Sequence, residues 1–179
     1  RSSACAVDLR PFWFSRETKE GSYEVSNYFT FDYQQELIIA KTENTYQLPR
    51  IDSLPINNLI LDVLTAVYYA RNQDFNNFEK NQKILMDMII DGEVFDIYGR
   101  YQGKEIIENF DGRLYDCHKF SALLVEGTMF KGGEDLFVWL TADKNRIPIL
   151  IEAKILVGSV KAYFAGGKGF FHPVDALID

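Results

Sequence analysis

The chain has 179 residues, 47% apolar and 25% charged, the balance of a folded globular protein rather than a disordered one. At about 150 residues per domain this argues for one domain, with room for a short appendage. The net charge of −7 is spread evenly, −2 over residues 1–40, −3 over 41–100 and −2 over 101–179. No stretch is basic enough to follow a phosphate backbone, which argues against nucleic acid as a partner.

Aromatic residues make up 15% of the chain, an excess that favours strands and large buried side chains. The longest nearly apolar stretch, Leu59 to Ala70, falls well short of the roughly 20 residues a helix needs to span a bilayer. The opening residues show no charged segment followed by an apolar run. Cys5 and Cys117 are too few for a disulfide scaffold or a four-cysteine zinc site. They read as two separate thiols, with Cys117 a small buried hydrophobe, the alternative being a Cys5–Cys117 bridge stapling the N-terminal segment to a mid-chain strand.

In chain order, residues 12–42 read as a strand meander. Phe12-Trp13-Phe14 opens it, Gly21-Ser22 marks a turn, and Tyr23, Val25, Phe29 and Phe31 alternate with polar neighbours, the period of a half-buried strand. Asp32-Tyr33-Gln34 reads as the next turn and Glu36–Thr42 as the return strand. Residues 47–57, with Pro49 and Pro55, break the pattern. Asn57 is then the expected N-cap of a helix from Asn58 to about Arg71. Apolar residues cover most of that helix, leaving a narrow stripe of Asn58, Asp62 and Thr65 that continues to Tyr69. The distribution predicts burial on most sides, with Leu61, Leu64, Val67 and Tyr68 inaccessible.

From residue 83 the turn signals come at short intervals. Lys83–Ile90 and Glu93–Gln102 flank the hairpin signal Asp91-Gly92, and Gln102-Gly103 and Asp111-Gly112 mark two further tight turns around Lys104–Asn109. Arg113–Val125 is a long strand, Lys131-Gly132-Gly133 turns into Glu134–Ala142, and Ile147–Leu156 follows a polar turn. There Ile147, Ile149, Ile151, Ala153 and Ile155 share one face. Val160–Ala165 is the last strand, and Gly166–Asp179 reads as a loop and loosely tied tail. About eight to ten antiparallel strands predict a mainly β fold, a curved sheet or incomplete barrel wrapped around one buried helix near residues 58–71.

The chemistry-bearing residues point away from catalysis. Cys117 and His118 are neighbours on a strand, so their side chains project to opposite faces and cannot act as a thiol–imidazole pair. His118 and His172 do not make a metal site, and no catalytic residue or cofactor is assigned. Glu126, Glu134, Asp135, Asp143 and Glu152 lie near strand ends or turns, the positions of solvated charges. A hydrolytic pair such as Glu126 with Glu152 would need to face across a cleft. Gly166-Gly167-Lys168-Gly169 has glycine in abundance but not the spacing of a phosphate loop. The strand Glu134–Ala142 is apolar on both faces, Leu136, Val138 and Leu140 on one and Phe137 and Trp139 on the other, so both need cover. Phe137, Trp139 and the amphipathic Tyr69 are therefore the candidate contacts for an apolar ligand.

Several motifs in order carry a family resemblance: Asp62 to Arg71 (DVLTAVYYAR), Gly92 to Tyr98 (GEVFDIY), Lys119 to Gly127 (KFSALLVEG), Phe130 to Leu136 with Trp139, Asp143 to Pro148 (DKNRIP), and Lys154 to Ala162. Pro11-Phe12, Arg16-Glu17 and Glu20-Gly21 fit the same pattern. Together they resemble the bacterial family known as domain of unknown function 3108. The resemblance implies an exported, periplasmic or envelope-associated protein of Gram-negative bacteria, with a curved sheet similar to periplasmic lipoprotein carriers. The elements and length make residues 1–165 a single β-rich domain followed by the tail 166–179, and the resemblance implies that the family's domain begins with further strands upstream. It brings no activity and no catalytic residue. Three readings follow: a non-enzymatic envelope protein binding an apolar small molecule or lipid; an assembly module recognising another envelope protein through a sheet edge; and, third, a carboxylate-based hydrolase.

Overall fold

A computed structural model describes residues 1–124, 133–155 and 158–178. Over these described residues the protein is mainly β, with two sheets, one short α-helix and no closed barrel. Its contacts divide it into two compact units, Arg1–Gln73 with Met86–Asp96, and Asp74–Leu85 with Ile97–Asp179.

In the first unit, strands β1 (Ser2–Ala4), β2 (Pro11–Glu20), β3 (Tyr23–Asp32), β4 (Leu37–Asn44) and β5 (Gln47–Pro55) form an antiparallel sheet in that order. The alternation read from Tyr23 to Phe31 is realised: Asn27, Phe29 and Phe31 are buried while Tyr28 and Thr30 face out. Phe14, Phe29, Phe31, Ile38, Ala40, Ile60 and Ile89 make one core cluster. β5 was unexpected, because Pro49 and Pro55 discourage a strand. It lies at the sheet edge, where a missing backbone N–H costs no ladder bond.

The helix differs from its sequence reading in start and in burial. Ile60–Leu61 forms the short strand β6, paired in parallel with β7 (Lys83–Ile90), and the helix α1 is Val63–Arg71. Its N-cap is Asp62 rather than Asn57. The Asp62 carboxylate accepts from the backbone N–H of Leu64 at 2.8 Å and Thr65 at 3.1 Å, and Thr65 Oγ1 accepts from the Asp62 N–H at 2.9 Å. Ser2 Oγ donates to the other carboxylate oxygen at 2.7 Å. This reciprocal cap holds the start of α1 against β1. Leu61 is 1% exposed, but Leu64, Val67 and Tyr68 are 43%, 51% and 55% exposed. The buried helix expected near residues 58–71 is thus a helix buried at Thr65 and Ala66, because the most apolar residues of the run were drawn into β6 instead. Leu61→Ala is expected to cost about 2–5 kcal/mol in urea denaturation and Leu64→Ala under about 1 kcal/mol. Equal losses at both positions would contradict this division.

The hairpin of β7 and β8 (Glu93–Glu108) turns at Asp91-Gly92, as its sequence signals. Both residues have positive φ, 50° and 85°, the geometry of a two-residue hairpin turn with the sheet's twist. Asp91 accepts from Arg16 at 2.7 Å and from the buried Asn27 amide at 2.6 Å. Glycine suits position 92 by its backbone angle, and a Cβ there, 3.0 Å from Thr42 Cγ2, would also press the Thr42 side chain aside.

In the second unit, β8, β9 (Leu114–Leu124), β10 (Gly133–Thr141), β11 (Pro148–Lys154) and β12 (Ser159–Tyr163) follow one another as antiparallel neighbours. Gln102-Gly103 is not a turn. It lies within the 16-residue β8, at a register shift between Tyr101 and Gly103 opposite β9. Gly103 has φ 110°, and positive-φ glycine serves a bulge as well as a turn. The strand Ile147–Leu156 runs as Pro148–Lys154. Ile147 and Ile149 are buried, and so is Leu150 on the opposite face.

The tail is tied down more than its glycines suggest. β13 (Leu177–Ile178) pairs with β9. Asn145 Nδ2 donates to the carbonyls of His172 and Pro173, and the Asp143 carboxylate accepts the Ala176 N–H at 3.3 Å. Among the described residues, no helix is long and apolar enough to cross a membrane.

Candidate functional site

The strand β10 carries two of the three candidate residues, and the structure shows what covers its aromatic face. Trp139 is 5% exposed. It belongs to a core cluster with Tyr115, Cys117, Ile147, Ile149 and Leu150, against which Phe137, Phe164 and Val174 pack. The segment after β12 therefore supplies Phe164 and Val174 to the margin of the cluster that buries Trp139. On the other face, Phe120 and His118, opposite Val138 and Leu140 in register, belong to an aromatic cluster with Phe75, Phe78 and Tyr101, whose tightest pair, Phe75 and Phe120, has ring centroids 4.8 Å apart.

Cys117 and His118 indeed point opposite ways. Cys117 lies in the Trp139 cluster with its thiol pushed up to about 12 by burial. His118 Nδ1 is 3.0 Å from the Tyr101 hydroxyl, its pKa lowered by burial. Both cysteines are free thiols.

Beside Phe137 the second unit opens into a cleft of about 520 Å³, lined by Lys80, Gln102, Glu105, Lys119, Ser121 and Phe137 among others. Strand register builds it: Trp139 lies opposite Lys119 and Phe137 opposite Ser121 on β9, while Lys119 is flanked by Gly103 on β8. The bulge at Gln102 adds a residue there, and its side chain donates to Ser121 Oγ at 2.8 Å. Trp139 Nε1 donates to Glu105 Oε2 at 2.6 Å, and the Lys119 ammonium sits 3.1 Å from the same oxygen. That ammonium lies 4.9 Å from the Trp139 ring centre and 5.7 Å from that of Phe137, and Lys154 Nζ lies 5.0 Å from the Phe137 ring. The indole N–H, then Lys119, hold the Glu105 carboxyl below its ordinary pKa.

The inner wall is a second network. Glu134 accepts from Arg100 Nε at 2.8 and 3.0 Å, from the Tyr98 hydroxyl at 2.7 Å and from Ser121 Oγ at 2.7 Å. The Arg100 guanidinium, foremost, holds the Glu134 carboxyl down to about 2, and the same bond raises the Arg100 pKa. Glu134 therefore stabilises the fold fully above its unfolded value of 4.5, and that contribution disappears as pH falls through about 2. Thermal melts from pH 6 to 2 should show Glu134→Gln losing less stability over that interval than the parent. Parallel acid limbs would contradict the ionised, four-bonded carboxylate.

Tyr69 is half-buried on α1 in the first unit, its carbonyl accepting from Gln73 Nε2 at 3.1 Å, and it does not line this cleft. Lys119, Glu105, Gln102 and Ser121 escaped the sequence reading because scattered polar strand residues carry no motif. The one local signal was the glycine after Gln102. Glu126 lies outside the described residues, as does the turn at Lys131-Gly132. Glu152 pairs with Lys161 at 3.7 Å. Among the described residues, no group of three or more His, Cys, Asp or Glu is arranged to hold a metal ion.

These features define a two-sheet β module with an aromatic, lysine-rimmed cleft on one sheet. The chain belongs to the family described as Protein of unknown function (DUF3108), whose model matches residues 1–165, in agreement with the resemblance carried by its motifs. Comparison with curated proteins and with solved structures produced no match.

Proposed function

We propose that this domain is a non-enzymatic binding module of an exported, envelope-associated protein, and that the cleft over Phe137 takes a small amphipathic ligand. The observation that carries the reading is the open cavity of about 520 Å³ next to a half-buried phenylalanine. Concave sites with an apolar contact and a few fixed polar groups are where small ligands bind. The apolar faces of the strand point to an apolar ligand or lipid. The polar lining favours an amphipathic one, with Phe137 as the contact and Trp139 supporting it from beneath through Glu105. The carboxylates of the cleft support binding over acid catalysis, since Glu105 and Glu134 are both held ionised and general acids need a raised pKa. Placement in the envelope rests on the family resemblance.

Fluorescence titration tests the reading. In a Trp13→Phe background Trp139 is the sole tryptophan, and saturable changes in its emission with 1-decanol or decyl phosphate are expected. Phe137→Ala should weaken binding by about tenfold, the worth of some 1.4 kcal/mol, with the fold confirmed by its melt. Binding of neither probe, or binding indifferent to Phe137, would overturn it. The fully exposed edge strand β12 favours a second reading, recruitment of an envelope protein by strand addition. Val160→Pro abolishing a complex captured in the cell envelope, with probe binding intact, would select it.

A further inference from the structure

Resting on the binding reading above, we infer that the cleft selects an amphipathic anion, its charged head drawn to Lys80 in the lining and to Lys154 beside the Phe137 ring, and its apolar part laid against Phe137. The carboxylates that could repel such a ligand are already engaged. Glu134 is taken by Arg100, Tyr98 and Ser121, Glu105 by the Trp139 indole and Lys119, and Glu152 by Lys161. Lys104, also in the lining, is paired with Asp116 at 3.0 Å. Lys80 lines the cleft and is exposed, with no ion-pair partner among the described residues. Lys154 is exposed too, and its ammonium and that of Lys119 both approach the Phe137 ring, at 5.0 and 5.7 Å. Positive charge left uncancelled beside an apolar ring attracts a molecule that is anionic at one end and apolar at the other. The unpaired cations are on flexible stems, so they can follow a head group without disturbing the Glu105–Trp139 bond beneath.

The test uses three probes on the whole chain in the Trp13→Phe background: decyl phosphate, 1-decanol and inorganic phosphate. Decyl phosphate is expected to bind about tenfold more tightly than decanol, a difference of some 1.4 kcal/mol, and inorganic phosphate more weakly than decyl phosphate. The double variant Lys80→Gln with Lys154→Gln, both at exposed positions, should remove the preference, so that decyl phosphate and decanol bind it with equal affinity. Equal affinities for decyl phosphate and decanol in the parent would overturn the anion selection while leaving the binding site standing, and so would a preference that survives the double variant. Inorganic phosphate binding as tightly as decyl phosphate would overturn the amphipathic part. Failure of both decyl probes to bind would instead remove the binding reading itself.

Discussion

Phe29→Ala is expected to lower stability by about 3–5 kcal/mol in urea denaturation, the cost of deleting a fully buried aromatic ring that its surroundings cannot refill. Phe29 is 0% exposed and lies at the centre of the first unit's cluster, stacked on Phe14 with ring centroids 5.6 Å apart. Its cluster neighbours come from β2, β3, β4, β6 and β7, so no single side chain can move in to close the cavity. Tyr28 on the other face of β3 is the control. It is exposed, and Tyr28→Ala should cost about 1 kcal/mol or less. A similar loss at both positions would mean that the sheet does not bury the face assigned here.

Trp139→Ala should cost a comparable 3–5 kcal/mol, and the paired substitution Trp139→Phe separates the two parts of that loss. Phenylalanine retains most of the ring contacts with Tyr115, Cys117 and Leu150 and loses the N–H that Glu105 accepts at 2.6 Å. Glu105 is partly exposed, so water and Lys119 take over the vacated oxygen and the net cost should be about 1 kcal/mol. If Trp139→Phe is as damaging as Trp139→Ala, the bond to Glu105 matters more than the packing. If Trp139→Ala is nearly neutral, the cover provided by Phe164 and Val174 is not formed in solution.

Legibility in the sequence followed the range of the interactions. The meander over β2, β3 and β4 could be read because alternation and turn glycines act between adjacent residues. The Asp91-Gly92 hairpin could be read because positive φ at two successive positions restricts the residue choice. The split of Leu59–Arg71 could not. An apolar run of that length suits a helix or a strand, and it was the parallel pairing of Ile60 and Leu61 with Asp87 and Met88 that drew its first part out of the helix. Asp62 then became the cap, although Asn57 satisfied the same local preference. The prolines of β5 were misread for a related reason, since their cost depends on whether a neighbouring strand needs the missing donor.

The sequence by itself determined the mainly β class, the family and the aromatic strand Phe137–Trp139, since each rests on periodicity, composition or ordered motifs. It also showed that Cys117 and His118 cannot meet, because neighbours on a strand face opposite ways. Only the tertiary structure decided that Trp139 is buried in a cluster to which the segment after β12 adds Phe164 and Val174, and that α1 keeps an exposed apolar side. It alone brought Lys119, Glu105, Ser121 and Gln102 together beside Phe137. Those four side chains come from two strands joined across β8, β9 and β10 by register and one bulge. Which residues share a face across strands is set by that pairing, and a one-residue slip would send each to the other side.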